Sequence, residues 1–212
     1  MSDDTRSAAI LAGGQATRFG GRDKSALVVE GRTILDRQIA TLAPLTDDLL
    51  IVGGYRTAGA RGVQPGDRGA EAPAPRVVAD IVPGCGPLGG LHAALTEARG
   101  DTVFLIACDM PYVTAAFVAH LLSLAGGADI VVPQSERGYH PLCAVYTRAC
   151  LEPAAARLAD RRLRLRELTE DVRTRVVAVE EIRRFGDPDR LLANVNTAAE
   201  YADLQALQGH KL

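Results

Sequence analysis

The sequence predicts a Rossmann-like α/β fold of three layers, in which a mostly parallel sheet has helices on both faces. Apolar runs of strand length alternate along the chain with segments of helical period, which is typical of βαβ units. The run 102–107 (Thr-Val-Phe-Leu-Ile-Ala) is continuously apolar, as a central strand covered on both faces should be. Since 47% of the 212 residues are hydrophobic, a sizeable core can form, and we expect one domain spanning residues 1–212.

Each element has its own pattern. The predicted strands are short apolar runs, at 8–11, 49–52, 76–79, 102–107, 129–132, 142–146 and 175–179. The predicted helices repeat apolar residues at helical spacing, at 33–42, 88–98, 115–124, 148–159 and 198–207. Residues 56–75 are rich in glycine and proline, which predicts a surface loop between two strands. Residues 134–138 predict a turn that could join antiparallel strands.

The composition excludes several classes of function. A net charge of −2 argues against a nucleic-acid binder. No apolar run reaches the roughly 18 residues of a membrane span, and the acidic start (Met-Ser-Asp-Asp) is unlike a secretory signal. The four cysteines show no Cys-x-x-Cys spacing, so we expect reduced thiols in a cytoplasmic protein. The arginine-rich run 161–166 is either a solvated helix face or a contact for an anionic ligand.

A glycine-rich loop with interleaved cations follows the first predicted strand. Its double glycines, at 13–14 and 20–21, let the backbone approach a ligand closely, and N–H groups in such a concavity bind anions. Lys24 closes the loop and is one of two lysines in a chain whose 24 cationic side chains are otherwise arginines. Its compact charge suits a phosphate held near the backbone, and Arg18 adds a second cation. The spacing is neither that of a Walker A loop nor that of a dinucleotide-binding loop. The alternative is a glycine turn that only connects two elements.

Polar side chains follow other predicted strands. Asp109 comes after the most apolar strand, and ligands of open α/β sheets bind beyond the carboxyl ends of strands. A carboxylate that faces a triphosphate there is a natural Mg²⁺ ligand, and the alternative is an N-cap, because Asp109 shortly precedes Pro111. Asp80 also follows a strand, and the alternative to a ligand contact there is a turn aspartate hydrogen-bonded to its own backbone. Asn194 and Asn196 are two residues apart, so an extended backbone would point both side chains to one face.

The ordered set of motifs resembles the signature of the molybdenum cofactor guanylyltransferases, a family of nucleotidyltransferases similar to sugar-nucleotide pyrophosphorylases. The matching segments are 11–14 (Leu-Ala-Gly-Gly), 18–21 (Arg-Phe-Gly-Gly), 23–24 (Asp-Lys), 86–90 (Gly-Pro-Leu-Gly-Gly), 108–111 (Cys-Asp-Met-Pro), 140–141 (His-Pro) and 194–197 (Asn-Val-Asn-Thr). They cover nearly the whole chain in the expected order. The resemblance implies a single nucleotidyltransferase domain that transfers GMP from GTP to the terminal phosphate of molybdopterin, or molybdenum cofactor, and releases pyrophosphate.

The resemblance also implies roles for individual residues. GTP is the substrate and Mg²⁺ the cofactor, with Asp109 as its ligand. The catalytic residues would be Lys24 and Arg18, on the leaving pyrophosphate, together with Asp109. The nucleotide and its metal would be bound by Leu11, Ala12, Gly13, Gly14, Lys24, Asp80, Asp109, Asn194 and Asn196. His140 would contact the acceptor phosphate, or would only anchor a turn. The enzymes that insert molybdenum and those that accept the cofactor would be transient partners.

Several alternatives stay open. Cytidylyl transfer to the same pterin, or nucleotidyl transfer to another small phosphate, is the nearest; cytidylyl homologues tend to carry alanine where Gly13 stands, and glycine leaves room for a purine. A non-catalytic nucleotide-binding module is an alternative of another class. Gly53 departs from the family, which often has an asparagine there that touches the nucleotide. The glycines of 86–90 either enclose the ligands or only permit tight packing of a helix on the sheet.

Overall fold

The structure is a computed structural model that describes residues 5–12, 27–53, 74–79, 81–82 and 84–195. The glycine loop, most of the predicted loop 56–75, Asp80 and the predicted helix 198–207 lie outside these ranges. Within them, the predicted alternation of strands and helices is confirmed. None of the helices described has the length and apolar composition that crossing a membrane requires.

The elements have the following bounds. The strands are β1 (Arg6–Leu11), β2 (Val28–Val29), β3 (Arg32–Thr33), β4 (Asp48–Val52), β5 (Arg76–Val78), β6 (Thr102–Ala107), β7 (Ile130–Ser135), β8 (Gly138–Tyr139), β9 (Cys143–Thr147) and β10 (Thr174–Val177). The α-helices are α1 (Ile34–Leu42), α2 (Gly86–Glu97), α3 (Ala115–Ser123), α4 (Leu151–Ala159), α5 (Val179–Ile182) and α6 (Pro188–Leu191). Short 3₁₀ helices occupy Ala43–Leu45, Ala125–Gly127, Arg148–Cys150, Leu165–Glu170 and Arg183–Phe185.

The main sheet has the strand order β10-β7-β9-β6-β1-β4-β5, with β8 paired to β7. Strand β1 lies in the middle and runs parallel to β4 and β6, and β4 runs parallel to β5. The antiparallel strand β9 is inserted between β6 and β7. The mostly parallel sheet predicted from the sequence is therefore confirmed, and the antiparallel pairs are confined to the half that contains β7, β8 and β9.

Successive residues of the central strands pack on opposite faces of the sheet. Ala8 and Ile10 belong to the core beneath α1 and α3, whereas Ala9 and Leu11 belong to the core beneath α2 and α4. All four are buried, because helices cover both faces and leave no solvated side. This packing confirms the three predicted layers and explains why the strands read as continuous apolar runs.

Several predicted boundaries need correction. The strand predicted at 175–179 ends at Val177, and Val179 instead begins α5. The turn predicted at 134–138 is shorter, because β7 continues to Ser135 and pairs with β8 in a tight antiparallel hairpin. The helix predicted at 148–159 begins with a 3₁₀ turn. Apolar periodicity alone did not reveal these ends, since a buried residue is apolar in a strand and in a helix alike.

The arginine-rich run 161–166 lies beyond the end of α4, and only Arg166 belongs to the 3₁₀ helix Leu165–Glu170, so most of the run is not a helix face. Its arginines are exposed, as the solvated interpretation expected. The buried arginine of this region is Arg157, whose side chain is only 2% exposed. Its guanidinium donates to Asp171, to Glu167 Oε2 (3.1 Å) and to Glu167 O (2.6 Å). Arg157 therefore fixes α4 to the segment that leads into β10, because a buried charge needs such partners.

Two aspartates at the amino-terminal edge of the sheet each form bidentate hydrogen bonds with an arginine. Asp48, the first residue of β4, accepts from Arg76 Nε and Nη2 at 2.9 Å each, from the Arg99 amide (3.0 Å) and from Ser7 Oγ (3.2 Å). Burial by itself would raise the pKa of Asp48, but the hydrogen bonds and the Arg76 charge outweigh it and hold that pKa below its ordinary value. Farther along this edge, Arg173 grips Asp129 in the same bidentate way (3.0 and 2.8 Å).

Candidate active site

Three strands end level with one another at the carboxyl edge of the sheet. Leu11 lies opposite Val52 on one side and Ala107 on the other. Backbone hydrogen bonds carry this alignment past the strand ends, since Ala12 N donates to Val52 O (2.8 Å) and Cys108 N donates to Leu11 O (3.1 Å). Ala12, the last described residue before the glycine loop, and the turn after β6 therefore lie side by side, as parallel strands require.

Asp109 lies in that turn and not at a helix N-terminus. The next helix, α3, begins at Ala115, and its N-cap is Thr114, whose Oγ1 accepts from Phe117 N (3.4 Å). The N-cap alternative for Asp109 is therefore wrong. The carboxylate is half-buried, with its Oδ1 shielded from solvent, at the end of a fully buried strand.

The turn with Asp109 also contacts the segment that carries Asn194. Val195 N donates to Asp109 O at 2.8 Å, so the backbone next to Asn194 is fixed to the backbone of the aspartate. Asn194 is half-buried and follows α6. Two residues that the sequence places 85 positions apart are thus neighbours in the described structure, as the predicted site requires.

A small apolar cluster joins the remaining segments of this edge. Val29, Ile34, Tyr112 and Val195 are all buried and pack together. Val29 belongs to the hairpin β2–β3, which follows the glycine loop, whereas Tyr112 follows Asp109 and Val195 follows Asn194. The cluster therefore holds the β2–β3 hairpin against the two polar segments.

Charged groups surround the same hairpin on its exposed side. Glu30 accepts from Arg37 Nη1 (2.9 Å) and from Arg190 Nη2 (3.4 Å). The Arg190 guanidinium also lies over the ring of Tyr112, 4.7 Å from its centroid. These contacts are partly exposed, so each contributes little to stability, but together they orient the hairpin against α1 and α6.

A cleft of about 160 Å³ opens next to Asp109. It is lined by Met110, Tyr139, His140, Pro141, Leu142 and Asn194. Tyr139 is exposed and belongs to the short strand β8, which places an aromatic ring at the rim. The cleft combines apolar walls with a few polar groups, which is typical of small-molecule sites.

His140 is held in a fixed position in this cleft. Its amide donates to Pro133 O (2.9 Å), its carbonyl accepts from Cys143 N (3.0 Å), and its Nε2 lies 2.7 Å from Ser135 Oγ. Burial, with a smaller contribution from the Arg137 charge, lowers the pKa of His140 below its ordinary value, so the imidazole is neutral at pH 7. The turn-anchoring role predicted for His140 is confirmed, and the same contacts present its ring to the cleft.

The second glycine segment packs tightly against the first strand. A Cβ at Gly90 would lie 2.9 Å from Leu11 Cδ2, closer than packed side chains allow. The packing interpretation of this segment is therefore supported at Gly90. Pro87 lies in the first turn of α2, where a missing N–H costs nothing.

Gly53 has a backbone reason to be glycine. It follows β4 with φ of 105° and its amide donates to Val78 O at 3.0 Å. A side chain at this φ would be strained, because even left-handed asparagine prefers a smaller angle. The position where the family resemblance implies a nucleotide-contacting asparagine is thus occupied here by a backbone turn.

The donors at this edge suit Mg²⁺. Among the residues that the structure describes, no group of three or more His, Cys, Asp or Glu is arranged to hold a metal. Mg²⁺ does not need such a cage, since it usually takes one or two carboxylates and fills its shell with phosphate oxygens and water. Asp109 offers such a hard oxygen donor at the carboxyl edge of the sheet, next to Leu11 and Ala12.

The structure thus brings together Leu11, Ala12, Asp109 and Asn194. The other predicted site residues lie outside the described part of the chain: Gly13, Gly14, Arg18, Lys24, Asp80 and Asn196. Sequence reasoning missed Gln38 of α1, which contacts the turn of Asp109. Its signal was present, because a polar residue occupies the apolar helix face formed by Ile34, Leu35 and Leu42.

Comparison with known proteins identifies relatives of the whole chain. Residues 8–176 match the family model of the MobA-like NTP transferase domain. The molybdenum cofactor guanylyltransferase of Desulfosudis oleivorans is 33% identical over 200 residues, which cover 93% of this chain and 93% of the relative.

Solved structures share the fold. The molybdopterin-guanine dinucleotide biosynthesis protein A of Archaeoglobus fulgidus superposes with a TM-score of 0.74 at 20% identity, covering 96% of this chain and 98% of that protein. The manganese complex of Rv0371c from Mycobacterium tuberculosis superposes with a TM-score of 0.60 at 19% identity, covering 94% and 97%. At these identities the likeness concerns the fold.

Proposed function

Because this chain belongs to the MobA-like NTP transferase family and matches molybdenum cofactor guanylyltransferases over nearly its full length, we propose that it transfers GMP from GTP to the terminal phosphate of molybdopterin. The products are the guanine dinucleotide form of the cofactor and pyrophosphate. One observation carries the proposal in the structure: the entry to the glycine loop, the Asp109 turn and the Asn194 segment meet at the carboxyl edge of the sheet.

The reaction needs positioning more than covalent chemistry. An oxygen of the acceptor phosphate attacks the α-phosphorus of GTP, a new P–O bond forms, and the bond from the α-phosphorus to the bridging oxygen breaks. Pyrophosphate leaves with the electron pair of that bond. Since the attacking phosphate is already anionic at neutral pH, no side chain has to remove a proton, and the protein contributes alignment and charge stabilisation.

We assign the groups around GTP as follows. The backbone of Gly13 and Gly14 approaches the base, while Lys24 and Arg18 neutralise the leaving pyrophosphate. Leu11 belongs to the β1–β4 and β1–β6 ladders, and Ala12 is held by its amide, which donates to Val52 O. Asp80, Asn194 and Asn196 are proposed as further contacts of the nucleotide or its metal.

Asp109 would hold Mg²⁺ against the phosphates, where the ion supplies Lewis-acid neutralisation of charge. The half-buried position of the carboxylate favours this role, because a partly desolvated oxygen donor binds a cation more tightly than an exposed one. The divalent metal in the fold relative from Mycobacterium tuberculosis is consistent with such a use of this fold.

We place the acceptor in the cleft next to Asp109. Asn194 lines this cleft and belongs to the segment that contacts the Asp109 turn, and Tyr139 offers an aromatic edge to a flat pterin. His140 would donate a hydrogen bond to the acceptor phosphate as a neutral imidazole, since its lowered pKa keeps it uncharged at pH 7. The cleft orients the phosphate and does not supply a base.

We further propose that residues 1–212 act as one nucleotidyltransferase domain in the cytoplasm. The described cysteines, Cys85, Cys108, Cys143 and Cys150, are all free thiols, which agrees with a reducing compartment. Transient contacts with the enzymes that insert molybdenum or accept the cofactor would complete the route of the product.

The proposal is tested with the two lysines of the chain. Lys24→Ala should lower kcat about 100-fold or more, because a group that stabilises the leaving pyrophosphate acts in the transition state. Lys211→Ala removes the other lysine and should leave kcat unchanged. A Lys24→Ala enzyme with a raised KM and an unchanged kcat would contradict the assigned role. Turnover with CTP equal to that with GTP would favour the cytidylyl alternative.

A further inference from the structure

One buried amide lies among apolar side chains beneath the proposed metal site. Gln38 is only 3% exposed and belongs to the inner face of α1, where its neighbours on that face are Ile34, Leu35 and Leu42. An apolar residue of similar size would extend this face without any polar group to satisfy. The presence of an amide here therefore needs an explanation from its contacts.

The Gln38 side chain binds both ends of the turn that carries Asp109. Its Nε2 donates to Ala107 O at 2.8 Å and to Met110 O at 3.1 Å. These carbonyls belong to the residues on either side of Cys108 and Asp109. The orientation of the amide follows from chemistry, because a flipped amide would place its oxygen against two carbonyl oxygens.

This arrangement gives the two carbonyls of the turn hydrogen-bond donors but leaves the side-chain oxygen of Gln38 without one among the described residues. Gln38 Oε1 is buried and accepts no hydrogen bond from the described residues. Buried polar atoms are normally paired, so an unsatisfied one persists where the rest of the group has a use. The use visible here is that two N–H donors of Gln38 bind both ends of a short turn, which the backbone bond from Met110 N to Ala107 O (3.3 Å) also joins.

The other side of the same turn is fixed independently. Val195 N donates to Asp109 O at 2.8 Å, and Arg37 Nε, next to the glutamine on α1, donates to Pro111 O at 3.3 Å. The turn is thus held from the Asn194 segment and from α1, and Gln38 supplies the two buried contacts of the α1 side. Without them, the direction of the Asp109 carboxylate would be less narrowly defined.

We propose that Gln38 is a positioning residue that fixes the Asp109 turn and thereby sets how strongly a divalent cation enhances GTP binding. The inference rests on the proposed function, because it takes Asp109 as the ligand of the metal that accompanies the nucleotide. Gln38 touches neither substrate nor metal and acts only through the backbone of the turn. Groups that orient metal ligands in this way typically change metal affinity by about 10- to 100-fold.

The test compares GTP binding with Mg²⁺ and with EDTA, measured by calorimetry without acceptor. Mg²⁺ should strengthen GTP binding to the wild-type protein. Gln38→Met, which removes both donors but keeps the volume, should lose about tenfold of that enhancement and bind GTP in EDTA as the wild type does. Thr46→Val is the matched control: Thr46 is also buried, and its Oγ1 donates to Leu42 O (3.2 Å) away from the turn.

Each outcome decides the inference. It is overturned if Gln38→Met keeps the full enhancement by Mg²⁺, or if GTP binding weakens equally with Mg²⁺ and with EDTA, as a general loss of structure would cause. If Gln38→Met does not fold, Gln38→Asn replaces it, since its shorter amide cannot reach both carbonyls, and the same two results decide. A wild-type protein that binds no GTP contradicts the proposed function itself, whereas normal wild-type binding with an unaffected variant contradicts only the role of Gln38.

Discussion

At the amino-terminal edge of the sheet, carboxylates are enclosed by arginines of the same chain, whereas at the carboxyl edge, polar side chains line a cleft. Asp48 is gripped by the fork of Arg76, and Asp129 by the fork of Arg173. At the opposite edge, His140 and Asn194 face an opening of about 160 Å³ next to Asp109. One edge uses its charges to hold strands together, and the other leaves room for a ligand.

The comparison also explains the use of cations in this chain. A planar guanidinium forms two parallel hydrogen bonds with a carboxylate, which suits the fixed pairs of the amino edge. An ammonium group is a compact charge that adapts to a phosphate, and one of the two lysines, Lys24, closes the glycine-rich segment predicted to bind phosphate. Arginine therefore serves structure at the amino edge of the described sheet, whereas Lys24 and Arg18 are the cations proposed for the leaving pyrophosphate.

The largest expected effect is a loss of activity without a loss of stability when Asp109, at the carboxyl edge, is replaced. Asp109→Asn should lower kcat/KM for GTP by about 1,000-fold, because a neutral amide is a poor Mg²⁺ ligand. The melting temperature should change little, since the residue keeps its size and its backbone contact with Val195. Steady-state kinetics with parallel thermal unfolding measures both. Near-normal activity of Asp109→Asn would contradict the assignment of Asp109, at the carboxyl edge, as the Mg²⁺ ligand.

At the amino edge, we expect a substitution to lower stability and to leave activity nearly unchanged. Asp48→Asn should reduce the free energy of unfolding by about 3 kcal/mol, because Arg76 loses its charged partner in a largely buried network. For a chain of this size that corresponds to roughly 6 to 12 °C in melting temperature. The kcat of the folded variant should stay within about twofold of the wild type. A loss of kcat without a loss of stability would show that the two edges are not separate in function.

The stability that Asp48 contributes at the amino edge should depend on pH. The folded pKa of Asp48 is lower than its ordinary value of 3.8, so its ionised form contributes stability that is fully present above that value. This contribution is lost as the pH falls through the folded pKa. The difference in unfolding free energy between wild type and Asp48→Asn should therefore be constant from pH 7 to about pH 5 and shrink below about pH 4. Urea unfolding at each pH measures it, and a difference that grows in acid would contradict the assignment.

The smallest expected effect is the difference in stability cost between alanine substitutions of one glycine at each edge. A Cβ at Gly100 would lie 2.2 Å from Thr5 O, a backbone atom, whereas a Cβ at Gly90 would meet the flexible end of Leu11 at 2.9 Å. Gly100→Ala should cost about 1 to 3 kcal/mol of stability. Gly90→Ala should be close to neutral, because the gain in helix propensity of about 1 kcal/mol offsets the shift of Leu11. Equal costs in denaturant titrations would show that the two edges are equally rigid.

Much of this fold could be predicted from the sequence, because strands that are buried on both faces are continuous apolar runs. The strand 102–107 was predicted with both ends correct, and Thr33 was placed at the start of α1, where it proves to be the N-cap. The site was predicted less completely. Asp109 was found from its place after a buried strand, but its separation from the following helix depends on Thr114, a cap that the more prominent Pro111 obscured.

The residues that sequence reasoning missed act through long-range contacts. Gln38 binds carbonyls about 70 positions away, and no local pattern reveals which backbone groups a buried amide will reach. In the sequence, Arg157 is one more arginine near an exposed run, and only the packing of α4 brings it to Asp171. Periodicity predicts which face of an element is buried, whereas the partner across that face is decided by the tertiary structure.

The most direct test of the central claim follows the phosphates of GTP. With molybdopterin, Mg²⁺ and GTP labelled at the α-phosphate, the label should enter the pterin product, whereas label at the γ-phosphate should appear only in pyrophosphate in equal amount. Release of orthophosphate instead, or α-label that never reaches the pterin, would contradict the account.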